Sequence, residues 1–342
     1  KTGIEVRVVE YQYAQVREKQ LLELSNNTGG LDIVNVDGQI WLSELWPYLE
    51  PIDDNAEFLK NLVPSMVEMF RSQEDGKLYA APVRIGGWVL MYRKDLFDAN
   101  GLQPPKTWDE FLEAAKTLTQ GDMYGFAPVF KQGNYLTVQW LPFLYSFGGE
   151  ILDETNTRAA FNSPQGIKAT QFMVDLLQKH KVVLPGALSL EQNGVVAIIQ
   201  QEQAAMALTY SPNFLPMNDP EKSKVAGKMA VSPFIPYDPE SGLTKGISEV
   251  SGWGFGIAKM SKNKEAARKF IEFVTSPEEQ LKLAVENSNA PTDKSVYENQ
   301  QYLEKYPAAK EVFAALENAK SRPGIKQWTG VEDILAAELS AA

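Results

Sequence analysis

Ala81-Pro-Val-Arg-Ile-Gly-Gly-Trp-Val-Leu-Met-Tyr-Arg-Lys-Asp-Leu-Phe97 is the stretch from which the fold can be read. Its apolar run from Trp88 to Tyr92 is too short for a helix and suits a buried strand. Lys94 opens the helix that follows, and Asn100-Gly101 stops it. The Gly86-Gly87 pair ahead of the strand offers a place where backbone torsions change cheaply. Further along, Ser251-Gly-Trp-Gly-Phe-Gly-Ile257 again sets glycines around a tryptophan. Both segments are expected to be crossovers between two lobes, with Trp88 and Trp253 facing the cleft between them.

Working outward, a chain of 342 residues suits two lobes of roughly 150 residues better than one core. With 44% hydrophobic and 23% charged residues, the composition is that of a soluble globular protein. The net charge is −11 and no basic stripe occurs, so nucleic acid and anionic lipid are not expected partners. No apolar run approaches the ~18 residues of a membrane span. There is no cysteine, which rules out thiolate catalysis and thiolate metal sites and fits export. The single histidine, His180, ends a helical stretch, where a cation complements the helix dipole. A Ser-His-Asp triad or histidine-rich metal site would have to use it, so no metal and no cofactor are expected.

The chain opens with a strand pattern over residues 4–10, helical spacing over 14–24 and a second strand over 31–36. That order predicts an α/β lobe with parallel strands. The stretch Asp37-Gly-Gln-Ile-Trp41 is then expected to be a loop at a strand's C-terminal end, where open α/β sheets keep ligands. Thr107-Trp-Asp-Glu110 and Ser276-Pro-Glu-Glu279 read as capping boxes that start helices. Residues 204–210 read as a buried strand ending in Ser211-Pro-Asn213. Residues 306–320 read as a helix, and a last helix is expected from Val331.

Seven tryptophans and thirteen tyrosines are available, several beside glycines or at strand ends. An aromatic ring offers a flat face to the C–H side of a sugar, while amides, carboxylates and arginine serve its hydroxyls. For every such ring the rival reading is core packing; Trp108, inside a capping box, and Trp46 are assigned to packing. Trp41, Trp88, Trp253 and Trp328 stay open between ligand and core, and Asp37, Gln39 and Arg84 are the polar candidates. The 44 acidic residues show no spacing that singles out an acid–base pair for glycoside hydrolysis. No phosphate-cradling loop occurs, and Gly252-x-Gly254-x-Gly256 lacks the spacing of a dinucleotide loop.

Several segments together resemble the family 1 extracellular solute-binding proteins of carbohydrate ABC transporters, the maltose-binding-protein-like superfamily. They are Thr2-Gly-Ile-Glu-Val6, Leu31-Asp-Ile-Val34 with Asp37, Leu90-Met-Tyr-Arg-Lys-Asp-Leu-Phe97, Pro105-Lys-Thr-Trp-Asp-Glu-Phe111, Ala205-Met-Ala-Leu208 and Asn263-Lys-Glu-Ala-Ala-Arg-Lys-Phe270. The resemblance implies an α/β, two-lobe, type II periplasmic-binding-protein fold with three hinge crossovers. The expected N-terminal lobe is residues 1–86 and 255–304, and the C-terminal lobe 87–254 and 305–342. In that family the Thr-Gly-Ile segment is the second strand, so the first βα unit is expected to be missing here.

The implied function is extracytoplasmic capture of a mono- or oligosaccharide or sugar alcohol by lobe closure, with delivery to an ABC permease. A monomer, periplasmic or held at the cell surface as a lipoprotein, is implied as well. By position, the ligand contacts are Asp37, Gln39 and Trp41 on one lobe, with Trp88, Tyr135, Tyr210, Asn213, Trp253 and Trp328 on the other lobe or at the hinges. Arg84 is added from its place beside the first crossover, where a buried guanidinium needs a partner, either ligand or a carboxylate. Two alternatives stay open: a cationic or zwitterionic solute in a tryptophan cage, and a carbohydrate-active enzyme.

Overall fold

The computed structural model describes residues 3–11, 13–287 and 290–342, excluding the side chains of Tyr13, Ala14, Gln39 and Asn287. Its strands in chain order are β1 (Ile33–Asp37), β2 (Leu49–Glu50), β3 (Ala81–Arg93), β4 (Tyr124–Phe126), β5 (Ala204–Tyr210), β6 (Met229–Val231), β7 (Ser248–Ala258) and β8 (Ala319–Lys320). The chain divides into two compact units. The first comprises residues 1–85, 251–299 and 324–326, the second 86–250, 300–323 and 327–342. The long strands β3 and β7 each run from one unit into the other. The passages fall at 85/86, 250/251 and 299/300, against 86/87, 254/255 and 304/305 in the sequence reading.

In the first unit β7 is the organising strand. It pairs antiparallel with β1, Asp37 standing opposite Trp253, and antiparallel with β2. The parallel strand expected over residues 4–10 does not form. Those residues carry no regular structure, and Val8 is 73% exposed. Alternating valines make a strand only where a neighbour supplies hydrogen bonds and a core covers one face. The free edge of β1 is covered instead by a side chain of helix α1 (Tyr13–Ser25). Gln20 Nε2 donates to the Asn35 carbonyl and its Oε1 accepts from the Asn35 N–H, both at 2.8 Å, as an adjacent strand would.

The glycines of β7 have a single cause. Gly252, Gly254 and Gly256 alternate along the strand and so share one face. A Cβ on each would lie 2.8–2.9 Å from the carbonyl oxygens of Arg84, Ala81 and Tyr79 respectively. The glycines therefore let the chain from Tyr79 through the start of β3 lie directly on β7, and Trp253 and Phe255 fall on the opposite face. Ala81 and Ile257 then pack with Ala267 and Ile271 of the helix Lys264–Val274.

In the second unit β5 is central, antiparallel to β3 and parallel to β4, while β6 pairs with β3 and β8 runs parallel to β7. β5 is buried from Ala204 to Thr209, as the apolar run predicts. The Thr107 capping box forms with both reciprocal hydrogen bonds, and its helix Trp108–Leu118 buries Trp108 in a stack on Phe143, 4.4 Å between ring centroids. The helix read over residues 306–320 is shorter, Ala309–Leu316, because its end becomes β8. The last helix starts at Trp328, three residues before the expected Val331.

Candidate functional site

Each unit presents its own group of candidate side chains. In the first unit the expected loop after β1 is a helix: α2 (Gly38–Leu45) starts directly after Asp37. Gly38 makes this possible with φ at +43°, a region costly for residues with a Cβ. A Cβ there would also meet Met69 Sδ at 3.3 Å. Asp37, only 6% exposed, stands at the helix N-terminus, where the dipole favours a carboxylate, and its side chain does not cap the helix. Gln39 is the second residue of α2, and its side chain lies outside the described residues.

Trp41, on the next turn of α2, is buried and meets Trp253 edge-on, with centroids 5.2 Å apart and planes at 88°. Trp253 keeps part of its surface open. Arg84 is exposed and sets its guanidinium carbon 5.9 Å from the Trp253 ring centre, at the outer limit of a cation–π contact. Of the two places the sequence allows Trp253, the other lobe or a hinge, it lies just past the 250/251 passage, with Asp37, Trp41 and Arg84 in the first unit. The β1–β7 register decides this, since it places Trp253 across from Asp37.

In the second unit the two glycines before Trp88 are extended, with no left-handed torsion. Their role is space. A Cβ on Gly86 would sit 2.3 Å from Tyr210 Cζ, and one on Gly87 2.3 Å from Leu316 Cδ2. Tyr210, at the end of β5 and opposite Trp88, therefore sets its ring against the backbone at Gly86 and remains partly open. Beyond it, Tyr306 donates its hydroxyl to the Ser211 carbonyl at 2.7 Å and holds the turn that carries Asn213. Asn213 Nδ2 donates to Gln192 Oε1 at 2.6 Å and to Thr209 Oγ1 at 2.9 Å.

Other expected contacts stand elsewhere. Trp88 and Trp328 are each 1% exposed, so neither offers an open indole face. Ser248 donates to the Trp88 carbonyl, and Trp328 begins a helix packed on the helix Asn134–Ser146. Tyr135 is exposed on that same helix, away from the end of β5 along the chain. A buried charge group was not anticipated: Arg322 lies 3.2 Å from Glu249, whose side chain is fully buried, and 3.5 Å from Glu332. Burial first, then the charges of Glu249 and Glu150, pushes the nearby Tyr145 hydroxyl far up. Gln192 and Thr209 were missed too, although a lone threonine inside the apolar run 204–210 was a visible signal.

Among the described residues no group of three or more His, Cys, Asp or Glu side chains is placed to hold a metal ion, and no helix is long and apolar enough to cross a membrane. Against known families, residues 1–281 match the bacterial extracellular solute-binding proteins. The chain belongs to that family. Its members act outside the cytoplasmic membrane and bind solutes. A maltose-bound MalE3 from T. maritima is 30% identical, with a TM-score of 0.84 over 99% of this chain and 87% of that one. A ribitol complex of a solute-binding protein from Agrobacterium radiobacter is 27% identical, with a TM-score of 0.81 over 97% and 84%. A protein of Sinorhizobium fredii described as a probable amino-acid ABC transporter periplasmic-binding protein is 26% identical over 100% of this chain and 78% of its own length. The fold of this family member is accordingly the mixed α/β, type II periplasmic-binding-protein fold.

Proposed function

We propose that this solute-binding protein captures a neutral saccharide or sugar alcohol and delivers it to an ABC permease, closing its lobes on the ligand as a monomer and without chemistry on it. The observation that carries this reading is the partly open indole of Trp253, backed edge-on by Trp41 and flanked by Arg84 and the buried Asp37. A flat apolar face with a cation and a carboxylate beside it suits a ring or chain that is C–H on one side and hydroxylated at its rim. The maltose and ribitol held by the two solved relatives are molecules of that kind. A micromolar affinity needs about 8 kcal/mol net, within reach of a stacked ring and several hydrogen bonds to charged groups.

Thermal denaturation in the presence of maltose, ribitol and a wider set of sugars and alditols tests the reading. Ligand at one hundred times Kd stabilises the folded state by about 2.7 kcal/mol, a readable rise in Tm. A rise with amino acids or choline-like cations, and none with any sugar or polyol, overturns it.

A further inference from the structure

Gln192, Thr209 and Asn213 close a ring of hydrogen bonds on the second unit. Thr209 Oγ1 donates to Gln192 Oε1 at 2.6 Å, and Asn213 Nδ2 reaches both of the other members, at 2.6 and 2.9 Å. Counting hydrogens leaves no slack. Both Nδ2 hydrogens of Asn213 are used, the one hydroxyl proton of Thr209 is used, and Gln192 Oε1 has accepted two bonds. The groups left over are the two N–H of Gln192 Nε2 and the Asn213 Oδ1, which take no partner among the described residues. Turning Gln192 alone would set N–H against N–H, and turning Asn213 alone would set carbonyl against carbonyl. Turning both only exchanges which residue offers donors and which the acceptor. In either arrangement a donor pair and an acceptor are left over on neighbouring amides.

The ring is held firmly and faces outward. Thr209 is fully buried in β5, while Gln192 and Asn213 are half-buried. Gln192 is the first residue of the helix Gln192–Gln200, and Asn213 ends the short turn Ser211–Asn213 that Tyr306 pins. Together they sit at the C-terminal end of β5, beyond its parallel pairing with β4 at Ala204 and Met206, where open α/β sheets bind ligands. Tyr210 is the intervening strand residue.

From this geometry we infer that Gln192 and Asn213 read one pair of adjacent hydroxyls on the solute, with Thr209 as the positioning residue that keeps both amides in register. A hydroxyl is donor and acceptor at once, so a vicinal diol can give a proton to the free carbonyl oxygen and take one from the free amide. The ring carries no charge, so it selects neutral hydroxyls over carboxylate or ammonium groups. This inference rests on the proposed saccharide or polyol ligand.

Titration calorimetry with ribitol and maltose, on the wild type and on Gln192→Ala, Asn213→Ala, Thr209→Val and Thr209→Ser, tests it. Loss of about 10- to 100-fold in affinity is expected for the two alanine variants, with partial recovery in Thr209→Ser relative to Thr209→Val. Circular dichroism melts of the ligand-free variants separate misfolding from lost recognition. A readout that a structural role would not move is discrimination between ribitol and 2-deoxyribitol, which should shrink toward equality in Gln192→Ala. If the wild type binds either solute and the alanine variants bind it within two-fold, the inference falls and the proposed function stands. If the wild type binds no sugar or polyol, both fall together.

Discussion

Tyr210 occupies the space that a side chain at position 86 would fill: a Cβ on Gly86 would lie 2.3 Å from its Cζ and 2.4 Å from its hydroxyl oxygen. Gly86 therefore serves as a seat for a ring, and its extended backbone makes no use of glycine's torsional freedom. Gly86→Ala must displace the ring or the strand, at an expected cost of about 1–3 kcal/mol. Tyr210→Ala in the same chain should recover much of that loss. Urea unfolding of the two single variants and the double variant gives the coupling; additive losses would mean the ring does not sit there.

The glycine face of β7 predicts a contrast between two glycines. At Gly254 a Cβ would meet the Phe70 ring at 2.7 Å and the Ala81 carbonyl oxygen at 2.9 Å, so Gly254→Ala should destabilise by about 1–3 kcal/mol. Gly330, exposed in the last helix, has nothing within 4 Å, and Gly330→Ala should stabilise by about 0.5–1 kcal/mol. Melting temperatures moving in opposite directions would bear this out.

Gln280 is a buried amide that ties three backbone segments of the first unit. It donates to the Val83 carbonyl at 3.1 Å and to the Val274 carbonyl at 2.9 Å, and accepts from the Thr292 N–H at 2.8 Å. Gln280→Ala strands these groups away from water, and a loss of about 2–4 kcal/mol is expected because more than one is left unsatisfied. Amide hydrogen exchange at Thr292 should accelerate in step. Unchanged protection there would show that water replaces the amide.

Arg93 grips Asp95 through two hydrogen bonds, at 2.8 and 2.7 Å, and holds its carboxyl below the ordinary carboxylate range. Because the folded pKa is depressed, the stabilisation is present above the unfolded carboxyl pKa of about 3.9 and is lost as pH falls through the folded value. Asp95→Asn should therefore lower the urea midpoint near neutral pH and flatten the acid limb below about pH 4. The effect is modest, since the carboxylate is partly open to solvent. Parallel acid limbs for the variant and the wild type would remove Asp95 as a contributor.

Local chemistry was legible in the residues. The Thr107–Glu110 box, the buried strand of residues 204–210 and the strand around Trp88 rest on spacings within one element, and each forms. The candidate groups were legible only in part. Asp37, Trp41, Arg84 and Trp253 come together in one unit, whereas the sequence allows Trp253 either on the other lobe or at a hinge. Trp88 and Trp328, which look like the same kind of residue in the sequence, are closed into packing. An indole next to a glycine has the same local pattern whether the glycine frees the ring or lets another segment cover it.

By itself, then, the amino-acid order determined the elements, their caps and the class of protein, because propensity, hydrophobic period and capping act over a few residues. Tertiary structure alone decided which face of β7 is glycine and why, and which aromatic rings stay open. It also decided that Thr209 meets Gln192 and Asn213, and that the valines of residues 4–10 form no strand. Those outcomes depend on which distant backbone comes within van der Waals or hydrogen-bond range, and only the register of β1, β3 and β5 on their neighbours supplies that distance.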